Sequence, residues 1–356
     1  MKIYRRINIS RLYKLTFFTT LISFTLIFAS CSKNPEASDQ HLKMGMDLVK
    51  LGKLNEALVE FNMSIKLNSG NAEAYYQRGV LYFSKSDFEK SKDDFDNAID
   101  KNPGIAKYRD ARAYYYITQN KISDAMTDCE SAVKLDAKNP VYVNRRGYVY
   151  ALLKDYVTAV NDYTKAIQLN PKFEDAYSNR GFAYLELKNY DKSAADFTRA
   201  IELNGNKSIY YNSRGYCYAN MKDYAKAMDD YNKAIMLDPN NTDAYVNRGF
   251  ANQNLNNFKE SIADFDKAIT SDPGKPVLYN ARGYAYANLK DYSNAILNYN
   301  KAINLDSAFA DAYVNRGFAN LNSYQNVPAL ADFEKAVKIK PSLDSALKPY
   351  IEQAKK

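Results

Sequence analysis

The sequence predicts an all-α fold built from nine consecutive two-helix repeats, and three observations lead to this prediction. Eight of the thirteen glycines recur in steps of 34 residues with one gap. Small and aromatic residues follow each of them at helical spacing, and no insertion or deletion interrupts the series between residues 38 and 341. A regular period of this length is typical of a solenoid, in which each repeat covers the apolar face of its neighbour.

The composition favours a folded array over a disordered chain. Hydrophobic residues make up 46% of the sequence, with 32 Tyr and no Trp, which is enough apolar material for a core. The net charge is +8, but residues 1–30 hold five basic residues and no acidic one, which leaves +3 for the remainder. A nearly neutral repeat region gives little reason to expect nucleic-acid binding.

The first thirty residues predict a secretory signal peptide. The basic stretch MKIYRRINISRLYK is followed by the apolar run LTFFTTLISFTLIFAS and then by Cys31. The apolar run is shorter than the roughly 20 residues that a membrane-spanning helix needs. The letters FASC resemble the lipobox of bacterial lipoproteins, although Phe28 stands where Leu is usual. This resemblance implies cleavage before Cys31 and attachment of lipid to its thiol. The alternative is an uncleaved signal anchor.

Residues 31–37 are predicted to be the lipidated cysteine and a flexible tether, because the stretch SKNPEASDQ that follows Cys31 has little apolar content. The lipid would place the protein in the envelope of a bacterial cell, with the outer membrane favoured. The repeats at 38–341 would then face the periplasm or the cell exterior.

The repeats share a pattern once the recurrent Gly is numbered as position 8. They then begin at residues 38, 72, 106, 140, 174, 208, 242, 276 and 310, and only the third has Ala in place of this Gly. Position 4 is Tyr in six repeats, position 20 is Ala or Ser in all nine, position 24 is aromatic in eight, position 27 is Ala in eight and position 32 is Pro in five. Positions 4, 8 and 11 share one helical face, as do 20, 24 and 27, and the Pro ends the second helix.

This pattern resembles the tetratricopeptide repeat over about 300 residues. The resemblance implies a right-handed superhelical solenoid of about nine helix-turn-helix repeats that binds proteins or peptides. Two positions depart from the family pattern: position 4 is Tyr where Trp is common, and position 7 is Arg where Leu is usual. Residues 342–356 break the period and are rich in helix formers, so they are predicted to form a capping helix, which Pro349 could kink.

A second register runs through the repeats, with Arg at position 7 in eight of them and an acidic residue at position 23 in eight. Antiparallel helices would bring position 23 level with an arginine of its own repeat or of the following one. We expect a ladder of Arg–carboxylate pairs along the stack. The alternative is two solvated faces that never meet.

The resemblance also implies that ligands bind on the concave face, which is lined by the first helix of each repeat. Aromatic residues at position 9 and asparagines at positions 5, 6 and 13 recur there. The residues predicted to bind a peptide or protein partner are Asn144, Tyr148, Asn179, Phe182, Asn212, Tyr216, Asn220, Asn247, Phe250, Asn254, Asn280, Tyr284, Asn288, Asn315, Phe318 and Asn322. An amide offers both a donor and an acceptor to a peptide backbone, and the rings supply apolar area. Alternatively, the rings pack internally and the asparagines reflect composition. A glycan is a second candidate ligand.

The sequence contains no arrangement of residues typical of catalysis, metal binding or a cofactor. His41 is the one histidine, at a core position, and Cys129 and Cys217 lie at buried positions of the pattern. We therefore predict a lipid-anchored scaffold for protein–protein interaction that binds an extended polypeptide, and no enzyme. The alternative is a structural subunit within a larger cell-envelope complex.

Overall fold

The computed structural model describes residues 34–356, and this part of the chain is entirely helical. It consists of nineteen α-helices and one short 3-10 helix, without strands, and consecutive helices pack against each other in pairs. The predicted all-α fold of helix-turn-helix repeats is confirmed. The predicted signal peptide and Cys31 lie outside the described residues. Within residues 34–356, none of the helices has the length and apolarity needed to cross a membrane.

The chain divides into two compact units, and the boundary lies inside the fourth repeat. The described part of the N-terminal unit ends at Asp155 and contains seven helices. They are α1 (Pro35–Lys50), α2 (Leu54–Leu67), α3 (Ala72–Ser84), α4 (Phe88–Lys101), α5 (Ala106–Thr118), α6 (Ile122–Leu135) and α7 (Pro140–Leu152).

The C-terminal unit begins at Tyr156 and contains the other twelve α-helices. They are α8 (Tyr156–Leu169), α9 (Glu174–Glu186), α10 (Tyr190–Leu203), α11 (Ser208–Asn220), α12 (Tyr224–Leu237), α13 (Thr242–Asn254), α14 (Phe258–Ser271), α15 (Pro276–Asn288), α16 (Tyr292–Leu305), α17 (Ala310–Asn322), α18 (Asn326–Ile339) and α19 (Asp344–Ala354), with the 3-10 helix Pro341–Leu343 before the last.

The first helix begins earlier than the sequence predicts, because residues 35–37 of the predicted tether are helical. The side chain of Asn34 caps this helix by accepting a hydrogen bond from the backbone N–H of Ala37 at 3.0 Å. A proline at the first helical position has the φ angle that a helix needs. Ser38 is fully buried and hydrogen-bonded to Ser64, which fixes the start of the helix on the second one.

The glycine at position 8 lets the two helices of a repeat approach closely. A Cβ atom on Gly283 would lie 2.7 Å from the ring of Tyr299, the residue at position 24 of the same repeat. The third repeat has Ala113 in place of this Gly, and there position 24 is Cys129, which is smaller than a ring. The two exceptions in the pattern therefore compensate for each other.

The turn between the two helices of every repeat contains a residue with positive φ at position 15. It is a glycine only in the first repeat, where Gly52 has a φ of 73°. The other eight repeats place a residue with a side chain in this left-handed conformation, namely Ser86, Asn120, Lys154, Lys188, Lys222, Asn256, Lys290 and Tyr324. Such a residue ends the first helix and turns the chain into the second.

The last helix, α19, covers the apolar face of the ninth repeat. Leu347 and Ala354 are buried in one cluster with Phe333. The ring of Tyr350 meets Phe318 edge to face, with ring centroids 4.8 Å apart. Pro349 lies inside this helix.

Candidate functional site

The predicted Arg–carboxylate ladder is present in six repeats. In each of them the Nε and Nη2 atoms of the arginine at position 7 donate to the carboxylate oxygens of the Asp at position 23. The pairs are Arg78–Asp94, Arg112–Asp128, Arg180–Asp196, Arg214–Asp230, Arg248–Asp264 and Arg316–Asp332, with donor–acceptor distances of 2.6–3.2 Å. These aspartate residues are at most 5% exposed, so the alternative of two solvated faces is wrong for these repeats.

The link to the neighbouring repeat differs from the expectation that position 23 would serve both sides. Position 23 pairs with the arginine of its own repeat, and the Nη1 atom of that arginine donates to position 25 of the preceding repeat. Arg78 reaches Asn62 at 2.6 Å in this way, and Arg214 reaches Thr198 at 3.1 Å. Sequence reasoning missed position 25 because its polar side chain changes from repeat to repeat.

Two ladder arginines gain support for their charged form from the aspartate that they bind. The hydrogen bonds and charge of Asp196 raise the pKa of Arg180, and those of Asp230 do the same for Arg214. The guanidinium faces also contact tyrosine rings of their own repeat, as with Arg214, whose Cζ lies 5.7 Å from the centroid of Tyr211 and 5.9 Å from that of Tyr218. The ladder therefore holds the stack together rather than forming a free charged site.

Four of the predicted ligand-binding asparagines pair with each other between adjacent repeats. Asn247 donates to Asn212 at 3.0 Å, and Asn315 donates to Asn280 at 2.9 Å. Each pair uses one N–H group and one carbonyl oxygen, and all four side chains remain half-buried. These asparagines therefore have a stacking role that the sequence did not predict, and they keep further polar groups for a ligand.

The asparagines at position 13 face solvent and bond to their own helix. The amides of Asn220, Asn254 and Asn288 each donate to the backbone carbonyl of the position-9 residue, at 2.8–2.9 Å. Asn322 is exposed as well. The back-bond fixes the amide and directs its carbonyl oxygen away from the helix as an acceptor.

The rings at position 9 are neither fully buried nor free. Tyr148, Tyr216, Phe250 and Tyr284 are 37–45% exposed. Phe182, Phe250 and Phe318 meet the position-24 ring of their own repeat edge to face, at centroid distances of 4.9–5.2 Å. One edge of each phenylalanine ring therefore packs internally, as the alternative to ligand binding expects. The solvent-exposed surface of the position-9 rings is open to contact with a ligand.

Five of the predicted residues line one cleft between the sixth and seventh repeats, with a cavity volume of about 260 Å³. They are Tyr216, Asn220, Asn247, Phe250 and Asn254. The first helices of the two repeats, α11 and α13, supply all five. The cleft is thus lined by two exposed rings and three amides, which suits a chain with both apolar and backbone polar groups.

The other predicted residues lie elsewhere on the first helices of the repeats. Asn144 and Tyr148 are on α7 of the N-terminal unit, Asn179 and Phe182 are on α9, and Asn212 is on α11. Asn280, Tyr284 and Asn288 are on α15, and Asn315, Phe318 and Asn322 are on α17.

Sequence reasoning missed the part of the cleft that belongs to the second helix of the sixth repeat. Tyr224 and Tyr231 of α12 line the cleft. A signal for Tyr224 exists, since position 17 is aromatic in six repeats. Tyr231 belongs to the position-24 series, which the pattern gives to the core.

The groups that could carry other chemistry are engaged or buried. Burial raises the pKa of the Cys129 thiol to about 12 and that of the Cys217 thiol to about 11, so neither is a ready nucleophile. His41 Nδ1 lies 2.6 Å from Glu60 Oε2, across the two helices of the first repeat. Among residues 34–356, no three His, Cys, Asp or Glu side chains come together in a way that could hold a metal ion.

Comparison with known proteins identifies the repeats. Family models of the tetratricopeptide repeat match residues 72–104, 174–207, 208–241 and 242–275, and a model described as TPR repeat matches residues 45–86, 147–188 and 288–323. No curated protein gives a significant match to the chain.

Several solved structures share the fold at low sequence identity. A tetratricopeptide repeat protein from Parabacteroides merdae is 20% identical with a TM-score of 0.52, over 70% of this chain and 99% of its own. PilF of Pseudomonas aeruginosa is 18% identical with a TM-score of 0.53, over 62% and 96%. The Cut9–Hcn1 hetero-tetramer of the APC/C is 14% identical with a TM-score of 0.51, over 89% and 83%. Together with the family models, the 34-residue helical pairs show that the chain belongs to the tetratricopeptide-repeat family.

Proposed function

We propose that this protein is a lipid-anchored scaffold of a bacterial cell envelope and that it binds a partner protein as an extended segment in the cleft between the sixth and seventh repeats. The observation that carries the proposal is the meeting of Tyr216, Asn220, Asn247, Phe250 and Asn254 in one cleft. The anchor rests on the N-terminal sequence, in which a basic segment and a short apolar run precede Cys31.

The cleft has the chemistry that an extended peptide requires. Such a peptide presents unpaired N–H and C=O groups along its backbone, and its side chains alternate between two sides. Asn254 offers an outward carbonyl oxygen because its N–H is held by the carbonyl of Phe250 at 2.9 Å. Tyr216 and Phe250 supply exposed ring surface for apolar side chains, at 42% and 37% exposure. Hydrogen bonds to the peptide backbone, combined with pockets for alternate side chains, are a recurring way to bind a polypeptide.

The alternative is a structural subunit that stacks edge to edge within a larger envelope assembly, and the contacts of α19 bear on one form of it, stacking on the ninth repeat. There α19 covers the ninth repeat with Leu347, Ala354 and Tyr350. A second copy could reach the apolar face of the ninth repeat only after that helix had been displaced. Lateral assembly through another surface remains an outcome of the experiment below.

The test uses the full-length protein in native membranes, with chemical cross-linking and affinity purification. Replacing both Tyr216 and Asn254 with Ala should abolish recovery of the cross-linked partner while the protein stays in the membrane fraction. Both side chains are exposed, and neither forms an inter-repeat amide pair, so the fold should persist. The matched control is Lys259→Ala on α14, an exposed residue outside the cleft, which should leave recovery unchanged.

The same membranes test the anchor through Cys31→Ser. This change should remove fatty-acid labelling and release the repeats from the membrane fraction. Unchanged membrane association without lipid would indicate the uncleaved signal anchor instead. Recovery of the same partner with Tyr216→Ala/Asn254→Ala as with the unaltered protein would contradict binding in the cleft, and recovery of only further copies of this chain would favour the structural subunit.

A further inference from the structure

Two further clefts lie on another face of the helices, in the repeats that lack the tyrosine at position 11. Position 11 is Tyr in six repeats, at residues 82, 116, 150, 184, 218 and 286. In the seventh and ninth repeats it is Asn252 and Asn320. These two repeats also share the identical stretch DAYVNRGFAN, whose last residue is this asparagine.

In four of the six repeats with this tyrosine, at residues 82, 116, 184 and 218, its ring lies against the arginine of the ladder. The distance from the guanidinium carbon to the ring centroid is 5.8 Å for Arg78 and Tyr82 and 5.9 Å for Arg214 and Tyr218. In three of these repeats a lysine at position 19, namely Lys90, Lys192 or Lys226, approaches the same ring, with Lys226 Nζ 5.4 Å from the centroid of Tyr218. The ring therefore contacts two cations of its own repeat, and each contact is favourable because the ring face carries negative charge density.

The seventh and ninth repeats lack both the ring and the lysine. Position 19 is Glu260 in the seventh repeat and Pro328 in the ninth. Asn252 is 2% exposed and donates to Asp264 at 3.0 Å. Asn320 is 4% exposed and donates to Asp332 at 3.0 Å. The arginine and its carboxylate are kept in both repeats.

The missing rings coincide with two open clefts at equivalent places. The cleft at the seventh repeat has a volume of about 440 Å³ and is lined by Asn232, Arg248, Asn252, Glu260 and Asp264, among others. The cleft at the ninth repeat has a volume of about 310 Å³, and its lining includes Asn300, Arg316, Asn320, Pro328 and Asp332 at the same repeat positions.

These clefts are separate from the peptide cleft of the proposed function. Arg248 and Asn252 lie on a different face of α13 from Asn247, Phe250 and Asn254, since each residue advances the helix by 100°. The two lists of lining residues have no member in common. Binding in one cleft can therefore be lost without loss of the other.

We infer that each of these clefts accepts an aromatic side chain of a partner polypeptide, in the place that the chain's own tyrosine occupies in other repeats. The inserted ring would contact the guanidinium of Arg248 or Arg316, as the internal rings contact Arg78 and Arg214. The Glu260 carboxylate at the seventh repeat accepts a hydrogen bond from a phenolic hydroxyl, so this cleft prefers tyrosine to phenylalanine. Pro328 takes the place of Glu260 at the ninth repeat, so that cleft lacks this contribution to a preference for tyrosine.

The experiment is photo-labelling of the full chain with the N-acetyl amide of a phenylalanine that carries an aryl diazirine, followed by peptide mapping. We expect labelling of peptides that contain residues 252–264 and 320–332. N-acetyl-tyrosine amide should compete with the probe, and N-acetyl-leucine amide should not. Asn252→Tyr/Asn320→Tyr refills both clefts with the ring of the other repeats and should reduce labelling there by about tenfold, as expected when a ring loses its contact with a partly desolvated cation.

A second variant keeps the test decisive if the refilled protein folds poorly. Tyr218→Asn/Lys226→Glu gives the sixth repeat the residues of the seventh and should create a third labelled segment around residues 218–230. Labelling at 252–264 and 320–332 that leucine amide reduces as well as tyrosine amide, or that persists after refilling, would overturn the inference. The absence of any labelling in these segments of the unaltered chain would overturn it too.

Discussion

Arginine at position 7 departs from the apolar residue that is usual in this family, and its contacts explain why it fits. Arg214 donates two hydrogen bonds to Asp230 and one to Thr198 of the preceding repeat, and its faces contact Tyr211 and Tyr218. A guanidinium has five N–H donors in one plane, so one residue can bind a carboxylate and a neighbouring helix at once. Lysine could not make the same set of contacts.

The ladder predicts unequal effects for its two partners. Arg214→Leu leaves the carboxylate of Asp230, which is 5% exposed, without its cation, and should lower the free energy of unfolding by about 3–5 kcal/mol. Asp230→Asn keeps an acceptor for the arginine and should cost about 1–2 kcal/mol. Urea unfolding of both variants, followed by circular dichroism, measures the difference.

The eighth repeat provides the natural precedent for the milder change. There Arg282 Nε donates at 2.8 Å to Asn298, which takes the place of the Asp, and Nη1 pairs with Asp266 of the seventh repeat. Equal losses of stability for Arg214→Leu and Asp230→Asn would mean that the buried charge is not the dominant cost.

The first helix of each repeat ends in a turn with a positive φ angle at position 15, although the residue type at this position varies from repeat to repeat. Lysine occupies this left-handed position in four repeats, and glycine occupies it in one. Left-handed backbone costs a residue with a Cβ atom roughly 1–2 kcal/mol relative to its usual conformation, and glycine is largely free of this cost. The stack therefore maintains these turns through the packing of the helices on either side.

This cost can be measured in both directions. Gly52→Lys should lower the free energy of unfolding by about 1 kcal/mol, and Lys188→Gly should raise it by a similar amount. A Cβ atom at Gly52 would meet no heavy atom within 4 Å, so the effect reports backbone conformation rather than a clash. Thermal and urea unfolding measure both changes. A loss of stability with Lys188→Gly would show that the lysine side chain contributes more than its backbone conformation costs.

The period and the helical faces could be predicted from the sequence because they depend on residue size at fixed spacing. Gly at position 8 and a ring at position 24 identify the helix pair in nearly every repeat. The ladder was predictable within a repeat for the same reason. The contacts between repeats were less predictable, since position 25 varies in type and the Asn212–Asn247 pair joins two different positions. The clefts at Asn252 and Asn320 required knowledge of where the ring of position 11 lies.

At the scale of the whole molecule, the chemistry of the later repeats has a period of two repeats rather than one. Amide pairs join the sixth to the seventh repeat and the eighth to the ninth, through Asn212–Asn247 and Asn280–Asn315. At the interface between the seventh and eighth repeats, the equivalent positions are Val246 and Ala281, which cannot form an amide pair. This interface is instead joined by an ion pair, between Arg282 of the eighth repeat and Asp266 of the seventh.

Two deletions of different length should therefore differ in their effect. Removal of residues 245–312 joins the sixth repeat to the ninth, brings Asn212 to Asn315, and places Asn232 where Arg316 now binds Asn300. Removal of residues 245–278 joins the sixth repeat to the eighth, places Asn212 against Ala281 and leaves Arg282 without Asp266. We expect the shorter deletion to be the more destabilising one, although it retains one repeat more.

Urea unfolding of the two deletion variants measures this difference, with the unfolding midpoint as the readout. Stability in a repeat array is approximately a sum over repeats and their interfaces. The longer deletion keeps a matched interface at the junction, so it should shift the midpoint less than the shorter deletion does. A lower midpoint for the longer deletion would show that the number of repeats outweighs the match at each interface.

The two copies of DAYVNRGFAN, at 243–252 and 311–320, mark the points at which this chain can change its length during evolution. A crossover at the same place in both copies removes or adds 68 residues and restores an amide pair and an arginine–asparagine contact at the junction. A crossover that gains or loses 34 residues joins surfaces that lack these contacts. Length variants in natural populations should therefore differ by pairs of repeats, and the heritable module of this protein is the pair.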